Sequence, residues 1–195
     1  MLSILNENYK NIEDAFNEFP ILESKRFYFK EIKEENFNDI YKIFSDDDVM
    51  RFSGINVVEP FRQVKNYLKR VSVMYREKQG IRWSIYDKLN NDFVGDIGLF
   101  NIDKKEKAIE IGYLIAKNHW NKGIGEECSR EIIKFAFNNL AIEKITAVID
   151  AENIPSIKLI EKIGFKMEYE FAQLAFNRFR RHYYMFSLKN KLNNC

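Results

Sequence analysis

The run His119-Trp120-Asn121-Lys122-Gly123-Ile124-Gly125 constrains this 195-residue chain more than any other stretch, because of what stands on either side of it. Before it, residues 108–116 are short, apolar and rich in β-branched side chains, which predicts a strand. After it, Cys128, Ile132, Phe135, Ala136 and Leu140 recur at helical spacing, which predicts a helix over 126–140. Two glycines between a strand and a helix let backbone N–H groups approach an anion closely, and the helix N-terminus aims roughly half a positive charge at the same point. Lys122 adds a full charge inside the loop. On that feature alone the run reads either as a phosphate cradle or as a tight strand-to-helix turn. The P-loop string G-x-x-x-x-G-K-[ST] does not occur, and the dinucleotide fingerprint G-x-G-x-x-G would need its third glycine at Cys128.

A second cluster lies downstream. Residues 144–149 read as a strand, followed by Asn153-Ile154-Pro155-Ser156, a short helical segment through Lys162, and Gly164-Phe165. Further pieces stand in order ahead of it: Arg26-Phe27-Tyr28-Phe29-Lys30-Glu31-Ile32, residues 38–44, Asp47-Asp48-Val49-Met50-Arg51-Phe52, Glu110-Ile111-Gly112-Tyr113, and the glycine run with Glu127. The segment Tyr184-Met185-Phe186-Ser187-Leu188 closes the series. In this order and spacing the chain resembles the GNAT superfamily of acetyl-CoA-dependent N-acetyltransferases. Within it, the chain is most similar to the branch containing the ribosomal-protein-serine/alanine N-terminal acetyltransferases.

The resemblance implies a mixed α/β fold: a central, mostly antiparallel, strongly twisted sheet of about seven strands, flanked by helices and splayed in the middle to admit acetyl-CoA. It implies one domain over 26–190. Residues 1–25 fall outside the family pattern and read as an amphipathic arm around Ile12, Ala15, Phe16 and Phe19, ended by Pro20; the arm either crosses the domain surface or forms a dimer contact. Between arm and cradle, a strand is expected near 26–32 and a helix over 36–45. A second helix starts at Pro60, with Phe61, Val64, Leu68, Val71 and Tyr75 on one face and Gly80 as its C-terminal cap. Strands over 81–86 and 93–100 flank a polar turn, and the charged run 103–107 reads as a solvated hairpin tip.

Composition bounds the partners. A net charge of +2 with 31% charged residues gives no support to a nucleic-acid partner or an anionic membrane surface. No apolar run approaches a membrane span and the N-terminus lacks a signal-peptide layout, so the expected address is the cytoplasm. Cys128 and Cys195 make neither a metal nor a disulfide framework, and no metal is expected; Cys128 falls on the apolar stripe of its helix. The expected state is a monomer or homodimer.

Acetyl transfer from a thioester to an amine needs a donor site, a neutral amine, an oxyanion donor and a proton for the leaving thiolate. The cradle, Asn121, Lys122, Gly123, Ile124, Gly125 and Glu126, is expected to hold the CoA pyrophosphate. The strand edge at Tyr113, Leu114 and Ile115 can pair with the amide-bearing pantetheine arm and leave an N–H for the oxyanion. Glu110 interrupts an apolar strand, where a carboxylate must be hydrated or paired; it reads either as a solvent-facing edge residue or as a general base. The resemblance implies the base, acting through a water. It also implies Asn153 as a polar contact to the pantetheine arm and Ser156 as the group that protonates the thiolate, although Ser156 also suits a helix cap.

Other residues are left open. His119 reads as a loop-packing residue, and His182 as a strand-edge residue or part of the acceptor mouth. Glu126 stands where the branch often has a small residue, and Arg181 where it commonly has an aspartate. Phe171-Ala172-Gln173-Leu174-Ala175-Phe176 and Arg178-Phe179-Arg180-Arg181 shape either an acceptor pocket or a hairpin's core and rim. The acceptor is most simply a protein N-terminal α-amine. A small-molecule amine (polyamine, antibiotic or amino-acid derivative) and a non-catalytic acyl-CoA-binding module are the alternatives.

Overall fold

Alternating apolar residues build one eight-stranded sheet in the computed structural model, which describes residues 9, 11–55, 58–174 and 180–190. The strands are β1 (Leu22–Glu23), β2 (Phe27–Glu31), β3 (Gly80–Asp87), β4 (Phe93–Asp103), β5 (Ala108–Ile115), β6 (Lys144–Asp150), β7 (Lys166–Leu174) and β8 (Arg180–Lys189), in spatial order β1-β2-β3-β4-β5-β6-β8-β7. Every neighbouring pair is antiparallel except β5 and β6. That pair is parallel because the chain crosses over between them through the helix α4 (Ile124–Asn139). Eight strands stand where about seven were expected. The addition is β1, whose two residues pair with Phe29 and Tyr28; two residues are too few to carry a period.

The remaining helices are α1 (Phe37–Phe44), α2 (Asp47–Met50), α3 (Pro60–Arg76) and α5 (Ile154–Lys162). The Asp46 side chain caps α2 by accepting from the N–H groups of Asp48 and Val49. Two cores form, one on each face of the sheet. Ile81, Trp83, Ile85, Ile97, Leu99, Ile109, Ile111 and Ile145 pack beneath α4, where Cys128, Ile132, Phe135 and Ala136 form the buried stripe expected of them. On the other face, Ile40, Ile43 and Phe44 of α1 meet Val64, Tyr67, Leu68 and Val71 of α3, with Phe93 and Leu114 packed against them. A buried ion pair, Arg82 Nε to Asp96 Oδ1 at 2.6 Å, links β3 to β4 under Tyr67.

Two local expectations change. Gly80 does not cap α3, which ends at Arg76. Lys78 takes the left-handed conformation after the helix, with φ 55°, and Gly80 opens β3. A Cβ at Gly80 would meet Leu99 O at 2.6 Å, so glycine is required there by close strand approach. Among its described residues the arm forms a 3-10 turn, Asp14–Phe16, and packs against the α4 core. Ala15 is fully buried, Tyr75 Oη donates to Ala15 O at 3.0 Å, and Trp83 Nε1 donates to Pro20 O at 2.6 Å. Ala175, Phe176, Arg178, Phe179 and Cys195 lie outside the described residues.

Candidate active site

The strands β5 and β6 pair only over Ala108↔Lys144, Ile109↔Ile145 and Glu110↔Thr146. Beyond that register β5 stays with β4 as far as Ile115, while β6 stays with β8 as far as Asp150. The sheet therefore forks at Glu110. Lys107 O accepts from the N–H of Lys144, and Ile109 O from Thr146 Oγ1, so odd-numbered residues of β5 turn their backbone groups toward β6. Even-numbered ones face β4, as in the bond from Ala116 N to Val94 O. Past the last paired position, the Ile111 carbonyl and both backbone groups of Tyr113 face the open edge. Leu114 turns its own to β4, and Ile115 O accepts from Trp120 Nε1 at 2.8 Å. Of the three strand residues expected to meet a pantetheine arm, Tyr113 alone combines an outward edge with an open carbonyl position.

The same strand leads into the glycine run. A 3-10 turn, Lys117–His119, is followed by Asn121 at φ 59° and Gly123 at φ 71°, and α4 begins at Ile124. Two left-handed residues within three fold the loop back over the helix start; Gly123 adopts that conformation at no steric cost, and asparagine is among the few other residues that take it routinely. No side chain caps α4; its first intrahelical bond is Glu127 N to Gly123 O at 3.2 Å. The N–H groups of Ile124, Gly125 and Glu126 are left pointing out of the helix end, which is the geometry that receives an anion. Gly125 has a different reason for being small: a Cβ there would lie 2.8 Å from Leu159 Cδ1 of α5.

The charges around this end are arranged in pairs. The Glu126 carboxylate is drawn off the helix axis by Lys162 at 2.6 Å and Arg130 at 3.1 Å, whose hydrogen bonds hold its pKa below the usual carboxylate range. Glu127 turns the other way. Burial pushes its pKa up, but hydrogen bonds from Arg26 and Ser24 outweigh it and hold the group ionised. Glu127 accepts from Arg26 Nε at 2.6 Å, Arg26 N at 2.8 Å and Ser24 Oγ at 2.8 Å, and Arg26 Nη1 donates to Lys122 O at 3.1 Å. The Arg26–Glu127 clamp thus ties the start of β2 to the glycine loop. Sequence reading placed both residues in the motif series without a role, since their contact spans 101 positions.

At the fork, Glu110 is half-buried and accepts from Asn101 Nδ2 at 2.8 Å. Burial raises its pKa, and the amide hydrogen bond partly opposes that. Asn101 reaches it from a β-bulge in β4 where Asn101 itself has φ 54°. Strand periodicity gives no sign of this residue. Glu110 and Tyr113 are three positions apart, an odd separation, so the two side chains leave β5 on opposite faces. Tyr113 Oη donates to Ser156 Oγ at 3.0 Å, and burial raises the Tyr113 pKa. Asn153 caps α5, its Oδ1 accepting from Ser156 N at 3.3 Å. Glu110, Tyr113, Asn153 and Ser156 are thereby grouped around the fork, and residues 121–126 lie at the far end of the open edge.

The histidines stand apart from this group. His119 lies half-buried before the cradle, its pKa lowered by burial and by Lys122. His182 is exposed on β8, its Nδ1 2.6 Å from Glu170 Oε1. Arg181 pairs with buried Asp150 at 2.9 Å and donates to Arg51 O at 3.1 Å, which fixes the turn after α2. Among the described residues no set of three or more His, Cys, Asp or Glu side chains is gathered for a metal, and no helix is long and apolar enough to cross a membrane.

The acetyltransferase (GNAT) domain family matches residues 26–166. The uncharacterized N-acetyltransferase YoaA of Bacillus subtilis (strain 168) is 33% identical over 150 residues, 77% of this chain and 85% of YoaA. RimJ of Mycobacterium smegmatis, solved in complex with CoA-disulfide, superposes with a TM-score of 0.78 at 15% identity, covering 90% of this chain and 89% of RimJ. Spermidine N-acetyltransferase from Vibrio cholerae, solved with CoA and spermine, superposes with a TM-score of 0.73 at 17% identity, over 84% of this chain and 95% of that one. At these identities the structural likeness is one of fold.

Proposed function

The chain belongs to the GNAT acetyltransferase family, and on that premise we propose that it transfers the acetyl group of acetyl-CoA directly to a protein N-terminal α-amine. The observation that carries this reading is the fork: a carboxylate at its apex, an unpaired strand edge leading away, and outward N–H groups at the edge's end. The donor fits these residues. An anion is met by the N–H groups of Ile124, Gly125 and Glu126, with Lys122 beside them and Arg26 bracing the loop. An amide-bearing arm adds to the open edge of β5 as a strand would. Acetyl-CoA, when bound, supplies the thioester.

The chain's own groups do the rest. Glu110, through a water, accepts a proton from the acceptor ammonium, and its raised pKa brings it nearer to that task than an exposed carboxylate would be. The outward N–H of Tyr113 donates to the oxygen that gains charge at the carbonyl, a contribution worth about 2.7–4 kcal/mol in other enzymes. On the opposite face, Ser156, with Tyr113 Oη behind it, returns a proton to the sulfur. Ser156 matters less than the cradle, because a thiol of ordinary pKa near 8.5 leaves with little help.

An α-amine, with pKa about 7.7–8.0, suits a single carboxylate base better than a lysine side chain near 10.4. The gap of about 2.5 units corresponds to about 3.4 kcal/mol. A non-catalytic acyl-CoA-binding role does not account for a half-buried carboxylate held at the fork by Asn101. Thiol release measured across peptide N-termini, small amines and internal lysines tests the reading, with calorimetry of CoA binding to wild type and Gly123→Asp. Turnover on α-amines and weaker CoA binding by the variant are expected. Equal CoA affinity for the two proteins sinks the cradle, and acetylation of internal lysines alone sinks the acceptor class.

A further inference from the structure

The core made by α1, α2 and α3 stops at β5: among the described residues its members include none from β6, β7 or β8. On those three strands the Glu110 face is therefore not covered by that apolar core; the turn after α2 reaches it only through Arg51, whose carbonyl accepts from Arg181. Ala147, Ile149 and Phe186 are buried beneath α4 and α5, so alternation places Val148, Met185 and Tyr183 on the Glu110 side. Tyr169 pairs with Met185, and Phe171 with Tyr183. The rings of Phe171 and Tyr183 stack at 5.7 Å and 25°, and Tyr169 stands 6.0 Å from Phe171 with 51% of its surface exposed. An apolar surface thus begins with Val148 one strand away from Glu110 and becomes aromatic on β8 and β7, at the edge of the sheet.

The carboxylates that β6, β7 and β8 carry on this face are already paired. Asp150 is held by Arg181 at 2.9 Å, and Glu168 by Lys144 at 2.9 Å and Ser187 at 2.7 Å. Glu110 accepts from a neutral amide and enters no ion pair among the described residues. One carboxylate with no ion-pair partner, beside aromatic side chains and no second such carboxylate on these strands, matches an acceptor with a single ammonium and an apolar group behind it. A polyamine, with cations spaced along its length, needs several unpaired carboxylates in line. Asp39, Asp46 and Asp92 do gather, but around a cavity of about 440 Å³ shared with Ala116, Lys117 and His119. That cavity lies toward α1 and β4, on the other side of β5 from β6, β7 and β8.

We infer that the platform of Val148, Met185, Tyr183, Tyr169 and Phe171 binds the segment behind the reacting amine, and that the acceptor is a polypeptide N-terminus with an uncharged, apolar side chain at its second or third position. This rests on the acetyltransferase reading above and names what that site selects. Apolar contacts of this kind discriminate by about 10–200-fold.

The test measures acetylation of peptides that differ only at the second residue (Phe, Leu, Asp or Lys) and of spermidine, by wild type, Phe171→Ser and Tyr183→Ser. CoA affinity is measured on each protein. Wild type is expected to favour the Phe and Leu peptides by about tenfold or more in kcat/KM. Both variants are expected to raise KM for those peptides while CoA affinity holds. Equal kcat/KM across the peptides, or a preference for spermidine, overturns the inference and leaves the acetyltransferase reading standing. No acetylation of any amine by wild type overturns that reading, and the inference with it. Phe171 lies on the edge strand; should Tyr183→Ser not fold, the wild-type preference and Phe171→Ser still decide.

Discussion

Glu110 is held at the fork with its carboxylate partly out of water and one amide donor, Asn101, to satisfy it. Because burial raises its pKa, the folded protein keeps that proton to a higher pH than the unfolded chain does. The group's contribution to stability is then full below the unfolded pKa and is lost as pH rises through the folded one. At neutral pH the ionised form weakens the fold slightly, a conflict between local stability and chemistry that active sites commonly show. Glu110→Gln is accordingly expected to keep or raise Tm at pH 7 while lowering kcat by about 10²–10⁴-fold. That loss shrinks as the pH passes the acceptor's pKa, and a loss constant to high pH would make Glu110 structural. Removing the donor acts in the other direction. Asn101→Ala takes away a hydrogen bond to the charged form, raises the Glu110 pKa further, and should move the acid limb of the kcat/KM profile to higher pH. An unmoved limb would separate Asn101 from the base.

At the scale of elements, α4 is fixed at its start by β2 and the turn before it. The Arg26–Glu127 contact joins a strand end to a helix's first turn and, through Arg26 Nη1, holds Lys122 O. Arg26 is 43% exposed, so the ion pair alone is screened and contributes modestly. Its larger effect is on the loop that presents the N–H groups. Arg26→Ala is expected to lower unfolding stability by about 1 kcal/mol and to weaken CoA binding by about tenfold, a cost near 1.4 kcal/mol. Urea midpoints and calorimetric titration measure the two separately. Unchanged CoA affinity would show that the cradle holds its shape without the clamp. The motif order made these elements legible, and the helix stripe through Cys128, Ile132, Phe135 and Ala136 was readable from spacing alone. The clamp was not, because a pair 101 positions apart leaves no periodic trace.

At the scale of the whole molecule, the two faces of β5 carry Glu110 on one side and Tyr113 with Ser156 on the other, which in the proposed mechanism divides the base from the proton donor. Both substrates must then meet across the sheet in a single complex. Initial-rate plots should intersect, and no acetylated enzyme should accumulate. Cys128 is buried and its thiol is pushed far up by that burial, so Cys128→Ala should remain active; parallel plots, with an acetylated cysteine by mass spectrometry, would overturn direct transfer. Free CoA at 100 times its Kd should add about 2.7 kcal/mol to unfolding stability whatever the acceptor. Local spacing in the sequence determined the longer strands and helices, because each is written within some twenty consecutive residues, and the order of the motifs along the chain determined the family. Tertiary structure alone decided that β5 and β6 part at Glu110, that Asn101 reaches it from a bulge, that Arg26 braces the cradle, and that the arm packs against the α4 core. Each of these joins residues distant in sequence, through the geometry of a sheet whose strands are not in chain order.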